Sequence, residues 1–143
     1  MIARAPAVMV VEDDPLIAEL LHEMLGRGDY AVTVCRDGDA ALNRMLVAPP
    51  DLVVLDVMMP RASGFDVLRA MRESGWGETI PVLMITAGTR LDRMVEAVRC
   101  GASDYLMKPF TADALLSAVE RLLTGDVLAS DSTTVAVRAT HAA

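Results

Sequence analysis

The chain has 143 residues, a length that suits one domain and lets it bury about two-thirds of the surface its unfolded form exposes. Hydrophobic residues make up 53% and charged residues 23%, which excludes a disordered chain and a coiled coil. A net charge of −7 with 3% aromatics leaves neither a basic face for direct nucleic-acid binding nor a platform for stacking bases.

The chain opens on MIARAPAVMVVEDD, where a short apolar stretch runs straight into acids. A secretory signal needs a longer apolar region and a small-residue cleavage site. No apolar run approaches the ~18 residues of a membrane span, so a cytoplasmic domain with no membrane partner is expected. Residues 7–11 are apolar, short and β-branched, and predict a strand. Asp14 followed by Pro15 supplies an N-cap with proline in the first turn. Leu16, Ile17, Leu20, Leu21, Met24 and Leu25 then mark one face of a helix. Over 30–35, Tyr30, Val32 and Val34 alternate with Ala31, Thr33 and Cys35, a milder pattern that suits an edge strand. Cys35 and Cys100 are far from any metal-binding spacing and read as ordinary reduced thiols.

A weaker helical pattern over 38–47 rests on Leu42, Met45 and Leu46. Residues 52–55, like 8–11, are apolar throughout, as strands covered on both faces should be. Ser63 with Asp66 matches a capping box at the start of a helix over 64–73, built on Phe65, Leu68 and Met71. Trp76, in a glycine-flanked loop, is expected to form a partly exposed cap over that helix. After a strand over 81–85, Thr89 with Asp92 forms a second capping box ahead of Leu91, Met94, Val95 and Val98. A last strand over 105–107 leads to Phe110, placed to staple onto Leu115 in a helix over 112–123. The ten methionines read as core filler. Residues 126–143 are rich in Ser, Thr and Ala and read as a flexible tail or the start of a linker, a short added edge strand at 133–137 being the alternative. The domain proper is therefore placed at 1–125.

Five strand–helix repeats demand an α/β fold, a doubly wound parallel sheet with helices on both faces. Central first and third strands with the second outside give the flavodoxin-like order 2-1-3-4-5. In such a sheet ligands sit beyond the carboxyl ends of the strands, where strand order reverses. There the first strand ends in Glu12, Asp13 and Asp14, the third in Asp56, the fourth in Thr86, and the fifth in Lys108 and Pro109. Clustered carboxylates repel unless a cation or proton relieves them, and hard oxygen ligands suit Mg²⁺. Lys108 is the only lysine among 13 cationic residues, a compact point charge suited to a phosphoryl oxygen beside a carboxylate. Ser63 already caps the following helix, which leaves Asp56 free to act as a nucleophile on phosphorus.

VVEDD, DLVVLDVMMP, VLMITA and DYLMKPF, in this order and spacing, resemble the receiver domain of two-component response regulators over about residues 7–124. The resemblance implies that Asp56 is the phosphoacceptor, served by a sensor histidine kinase or phosphotransfer protein. It implies that Glu12, Asp13, Asp56 and the backbone carbonyl of Met58 hold Mg²⁺, while Asp14 is the cap of the first helix. It makes Thr86 the switch hydroxyl, Tyr105 the switch aromatic and Lys108 the phosphate partner, with a cis Lys108–Pro109 bond. The Tyr105 ring is expected to start exposed and to move inward into space that Thr86 vacates. The face of 91–100, 104–107 and 112–123 would then meet a downstream partner or effector domain, or a second copy in a homodimer. Met58, apolar where many relatives carry a polar side chain, is expected to hinder the attacking water and prolong the phosphoryl state. The implied protein is a switch and not a conventional enzyme. A flavin carrier lacks its phosphate loop here, an aspartate phosphatase would place its nucleophile on the first strand, and a phosphorylation-independent interaction module is the remaining alternative.

Overall fold

A computed structural model describes residues 4–59, 61, 63–76, 79–87, 99 and 101–125, with the Trp76 side chain left aside. Expectations for the Trp76 ring, Thr89, Cys100, the helix over 91–100 apart from Arg99, and 126–143 concern positions outside that set.

Five parallel strands, β1 Ala7–Val11, β2 Ala31–Cys35, β3 Leu52–Asp56, β4 Val82–Ala87 and β5 Asp104–Lys108, form one sheet in the order β2-β1-β3-β4-β5. Every neighbouring pair is parallel, with Val10 opposite both Val34 and Val54, and Leu55 opposite Met84. Helices α1 Pro15–Gly26, α2 Gly38–Val47 and α3 Gly64–Met71 follow the first three strands, and a helix Ala112–Thr124 follows β5. A wide turn, Arg72–Trp76, extends α3 and bends at Gly75, where φ is 94°.

The period-2 alternation of strand side chains divides the interior into two cores. Met9, Val11, Val53, Leu55, Met84 and Met107 face one side and pack with Met45 of α2 and Leu68 and Met71 of α3. Val8, Val10, Leu52, Val54, Ile85 and Leu106 face the other and pack with Leu21 and Leu25 of α1 and with Leu115 and Val119 of the 112–124 helix. Both faces of β3 are thus covered, which is why all five of its residues are apolar or buried. β2 lies at the edge, and its pattern grades from exposed Ala31 to buried Cys35.

The Asp14 cap and the Ser63–Asp66 box read from the sequence are in place, and the structure adds a cap at Thr111. Asp14 accepts the Leu16 amide at 2.9 Å, Ser63 and Asp66 form the reciprocal box, and Thr111 accepts the Ala114 amide at 3.0 Å. Phe110 packs into the same core as Leu115. Gly125, with φ 75°, ends the last helix in the left-handed conformation glycine adopts freely.

Candidate functional site

The reversal of strand order between β1 and β3 opens the crevice that holds the site, because chains leaving these strands turn to opposite faces. Glu12 directly follows β1 and stays in register, its amide donating to the Cys35 carbonyl at 3.0 Å. Asp56 is the last residue of β3 and sits beside Ile85 of β4, so Thr86 lies one position further along the neighbouring strand. Lys108 is the last residue of β5. The parallel sheet therefore delivers residues from four chain segments to one edge.

Glu12 and Asp56 are only 1% and 3% exposed. Carboxylate oxygens of Glu12, Asp13 and Asp56 all lie within 4.8 Å of one another. The Lys108 ammonium stands 3.4 Å from Asp56 Oδ1 and 3.7 Å from Glu12 Oε1. One ammonium against three carboxylates leaves negative charge in excess. Glu12 shows the strain of this: burial, and less so the neighbouring Asp56, pushes its carboxyl from 4.5 up to about 7, against the lowering influence of the Asp14 amide and Lys108. Glu12 Oε2 accepts the Asp14 amide at 3.2 Å, whereas Oε1 is buried and accepts no hydrogen bond among the described residues. An orphaned buried oxygen amid two further carboxylates is an environment that a hard divalent cation relieves, so the donor set fits Mg²⁺.

The structure brings Glu12, Asp13, Asp56 and Lys108 together. Asp14 stands apart as the α1 cap, as its sequence position predicts. The Thr86 side chain is 2% exposed, and its hydroxyl donates to the Ala87 carbonyl at 3.3 Å. The Lys108–Pro109 bond is cis. The Met58 side chain is 53% exposed in the loop after Asp56. Tyr105 departs from expectation: its ring is 5% exposed and packs in the core with Met84 and Met107. The strand period explains this, since Tyr105 pairs with Met84 and shares its face of the sheet. The ring is already inside in this conformation.

Gly64 is a positioning residue that the sequence reading missed. Its amide donates to the Val57 carbonyl at 3.0 Å, and a Cβ there would run into the carbonyl oxygen of Asp56. The first turn of α3 can approach the Asp56 backbone only without a side chain at this position. A glycine opening a helix, where propensity disfavours it, was the available signal.

Comparison with known proteins agrees with this geometry. Residues 8–120 match the family described as response regulator receiver domain. Response regulator MprA of Mycolicibacterium vanbaalenii is 40% identical over 116 residues, covering 81% of this chain and 49% of the relative, so the chain spans about half the length of the curated relatives it matches. A putative response regulator from Chloroflexus aurantiacus superposes with a TM-score of 0.81 at 30% identity, over 85% of this chain and 99% of that one. The chemotaxis protein CheY4 of Vibrio cholerae does so with a TM-score of 0.79 at 31% identity, over 84% of this chain and all of that one. Among the described residues no helix is long and apolar enough to cross a membrane. With the strand order, the acidic cluster and the sequence match in agreement, the chain belongs to the receiver-domain family of two-component response regulators.

Proposed function

We propose that Asp56 accepts a phosphoryl group from a sensor histidine kinase or phosphotransfer protein, in a Mg²⁺-dependent step, and that the change is passed to a partner. Receiver domains are signalling switches that interact with kinases and output domains, and bind Mg²⁺ at an acidic site. The observation that carries the reading for this chain is the convergence of three carboxylates within 4.8 Å, with the Lys108 ammonium 3.4 Å from Asp56.

In the proposed reaction an Asp56 carboxylate oxygen attacks phosphorus. A P–O bond forms to Asp56 as the P–N bond to the donor imidazole breaks, and the departing nitrogen keeps the electron pair. Glu12, Asp13, Asp56 and the Met58 carbonyl would hold the cation, which when bound offsets the negative charge gathering at the phosphoryl oxygens. Lys108 already spans the acidic pair and moves onto a phosphoryl oxygen as Asp56 gives up its charge. Burial of Asp56 keeps bulk water from the nucleophile, while Lys108 beside it is 24% exposed.

The product carries roughly two negative charges where Asp56 had one. Thr86, one residue beyond the partner of Asp56 on β4, is the nearest hydroxyl on that strand to follow them. Its movement would loosen the packing beside Tyr105, because Met107 lies opposite Thr86 and shares a core with the ring. The output surface is then 91–100, 104–107 and 112–123, available to an effector domain or a second copy. Residues 1–125 form the proposed receiver unit, in keeping with the glycine that ends the last helix, and 126–143 the tail or start of a linker. The proposed setting is the cytoplasm, and no conventional substrate is turned over.

Incubation with Mg²⁺ and acetyl phosphate tests this directly. Intact mass should rise by one phosphoryl group, and Asp56→Asn or removal of Mg²⁺ by chelation should abolish the rise. An increment that survives Asp56→Asn would overturn the assignment. Partner binding left unchanged by Asp56→Ala would favour a phosphorylation-independent interaction module.

A further inference from the structure

Of the three clustered carboxylates, Asp13 is the one that its strand does not hold. The β1–β2 ladder ends with the Glu12 amide on the Cys35 carbonyl, and Asp13 lies one residue beyond it. The next residue, Asp14, is committed to capping α1. What fixes the chain between them is a single peptide group. Its carbonyl, that of Asp13, accepts Nη2 of Arg36 at 2.8 Å, and its amide, that of Asp14, donates to Glu12 Oε2 at 3.2 Å. Because a peptide group is planar, holding the oxygen also sets the direction of the N–H. That N–H in turn occupies Oε2 of Glu12 and leaves Oε1 as the oxygen beside Lys108.

The geometry points to Arg36 as a positioning residue for the cation site: from the edge strand it clamps the Asp13–Asp14 peptide, orienting the Asp13 and Glu12 carboxylates together. This rests on the Mg²⁺ reading above. Arg36 is suited to the task, since its own backbone is pinned between Cys35, the last residue of β2, and Asp37, whose side chain accepts the Ala40 amide at 2.7 Å as the cap of α2. The guanidinium spans 23 residues of sequence to reach Asp13 and touches the carbonyl instead of the carboxylate, so it orients the ligand without neutralising it.

Two physical roles for Arg36 predict opposite signs. If the guanidinium acted only through its charge, removing a cation near the site would tighten Mg²⁺ binding. As a clamp, its removal frees the peptide and weakens binding. Calorimetric titration of Mg²⁺ into wild type, Arg36→Ala and Arg36→Lys distinguishes them. The expected result is a Kd raised about tenfold in Arg36→Ala, as for other residues that orient metal ligands, with Arg36→Lys intermediate. Thermal unfolding of both variants without Mg²⁺ should stay near that of wild type, because the bond is exposed. The Mg²⁺ concentration for half-maximal phosphorylation by acetyl phosphate should rise while the rate at saturating Mg²⁺ is retained. Unchanged or tighter Mg²⁺ binding by folded Arg36→Ala overturns the clamp, as does a rate that saturating Mg²⁺ fails to restore. Should Arg36→Ala not fold, the same criteria apply to Arg36→Lys. Wild type that binds no Mg²⁺ overturns the underlying metal reading, and the clamp with it.

Discussion

Asp51 and Asp56 stand at the two ends of β3, one just before the strand and one closing it, yet their circumstances are opposite. Asp51, at the amino edge of the sheet, is exposed; its carboxylate accepts the Ala7 amide at 2.7 Å and lies 3.9 Å from the Arg4 guanidinium. Asp56, at the carboxyl edge, is buried beside Glu12 and Asp13 and faces the Lys108 ammonium. At the amino edge the charge is satisfied by a backbone donor and by water, and the acid joins β1 to β3. At the carboxyl edge three carboxylates share one ammonium, and a buried Glu12 oxygen accepts no hydrogen bond among the described residues. A difference in local compensation, and not in residue type, separates a structural aspartate from the proposed phosphoacceptor.

The sharpest way to break this contrast is to exchange charge for amide at each end. Asp56→Asn should abolish phosphorylation by acetyl phosphate, read by intact mass, while Asp51→Asn should retain it. Loss of phosphorylation in a folded Asp51→Asn protein would show that the two ends are coupled.

A second test uses pH. Folded Glu12 holds its proton up to about 7, whereas the unfolded chain releases it near 4.5, so between these values the folded state binds more protons. The stability contributed by Glu12 is therefore fully present below about 4.5 and is lost as pH rises to about 7, a change on the order of 3 kcal/mol. Denaturant titrations without Mg²⁺ should show this decline, and Glu12→Gln should flatten it. Equal pH dependence in both proteins would remove Glu12 from the account.

Gly64→Ala should destabilise by about 1–3 kcal/mol through its clash with the Asp56 carbonyl, with slowed phosphorylation as the loop shifts. Met58→Asn should shorten the phosphoryl lifetime several-fold by admitting water near Asp56, followed as decay of the phosphorylated mass. An unaltered lifetime would mean that the exposed Met58 side chain does not screen the site. Smallest of all, Asp51→Asn should cost about 1 kcal/mol through its weakened bond to Ala7, measured by thermal unfolding.

Much of this was legible in the chain because it depends on local order. The β-branched runs, the Asp14–Pro15 cap and the Ser63–Asp66 box each act within a few residues, and the elements they start or end lie where the pattern places them. The meeting of Glu12, Asp56 and Lys108 was legible for a related reason: in a parallel sheet every strand's carboxyl end reaches the same edge, so reading what ends each strand reads the site.

What stayed hidden depends on distance across the fold. The sequence by itself determined the elements, the strand order and the chemical inventory of one sheet edge, because periodicity and capping are properties of neighbouring residues. Only the tertiary structure decided that Gly64 must lack a side chain, that Arg36 reaches the Asp13 carbonyl, that the Tyr105 ring lies inside and that Glu12 carries a raised pKa. Each of these is set by which atoms from remote segments share a few ångströms of space and how much water remains between them, and neither quantity is written in any local pattern.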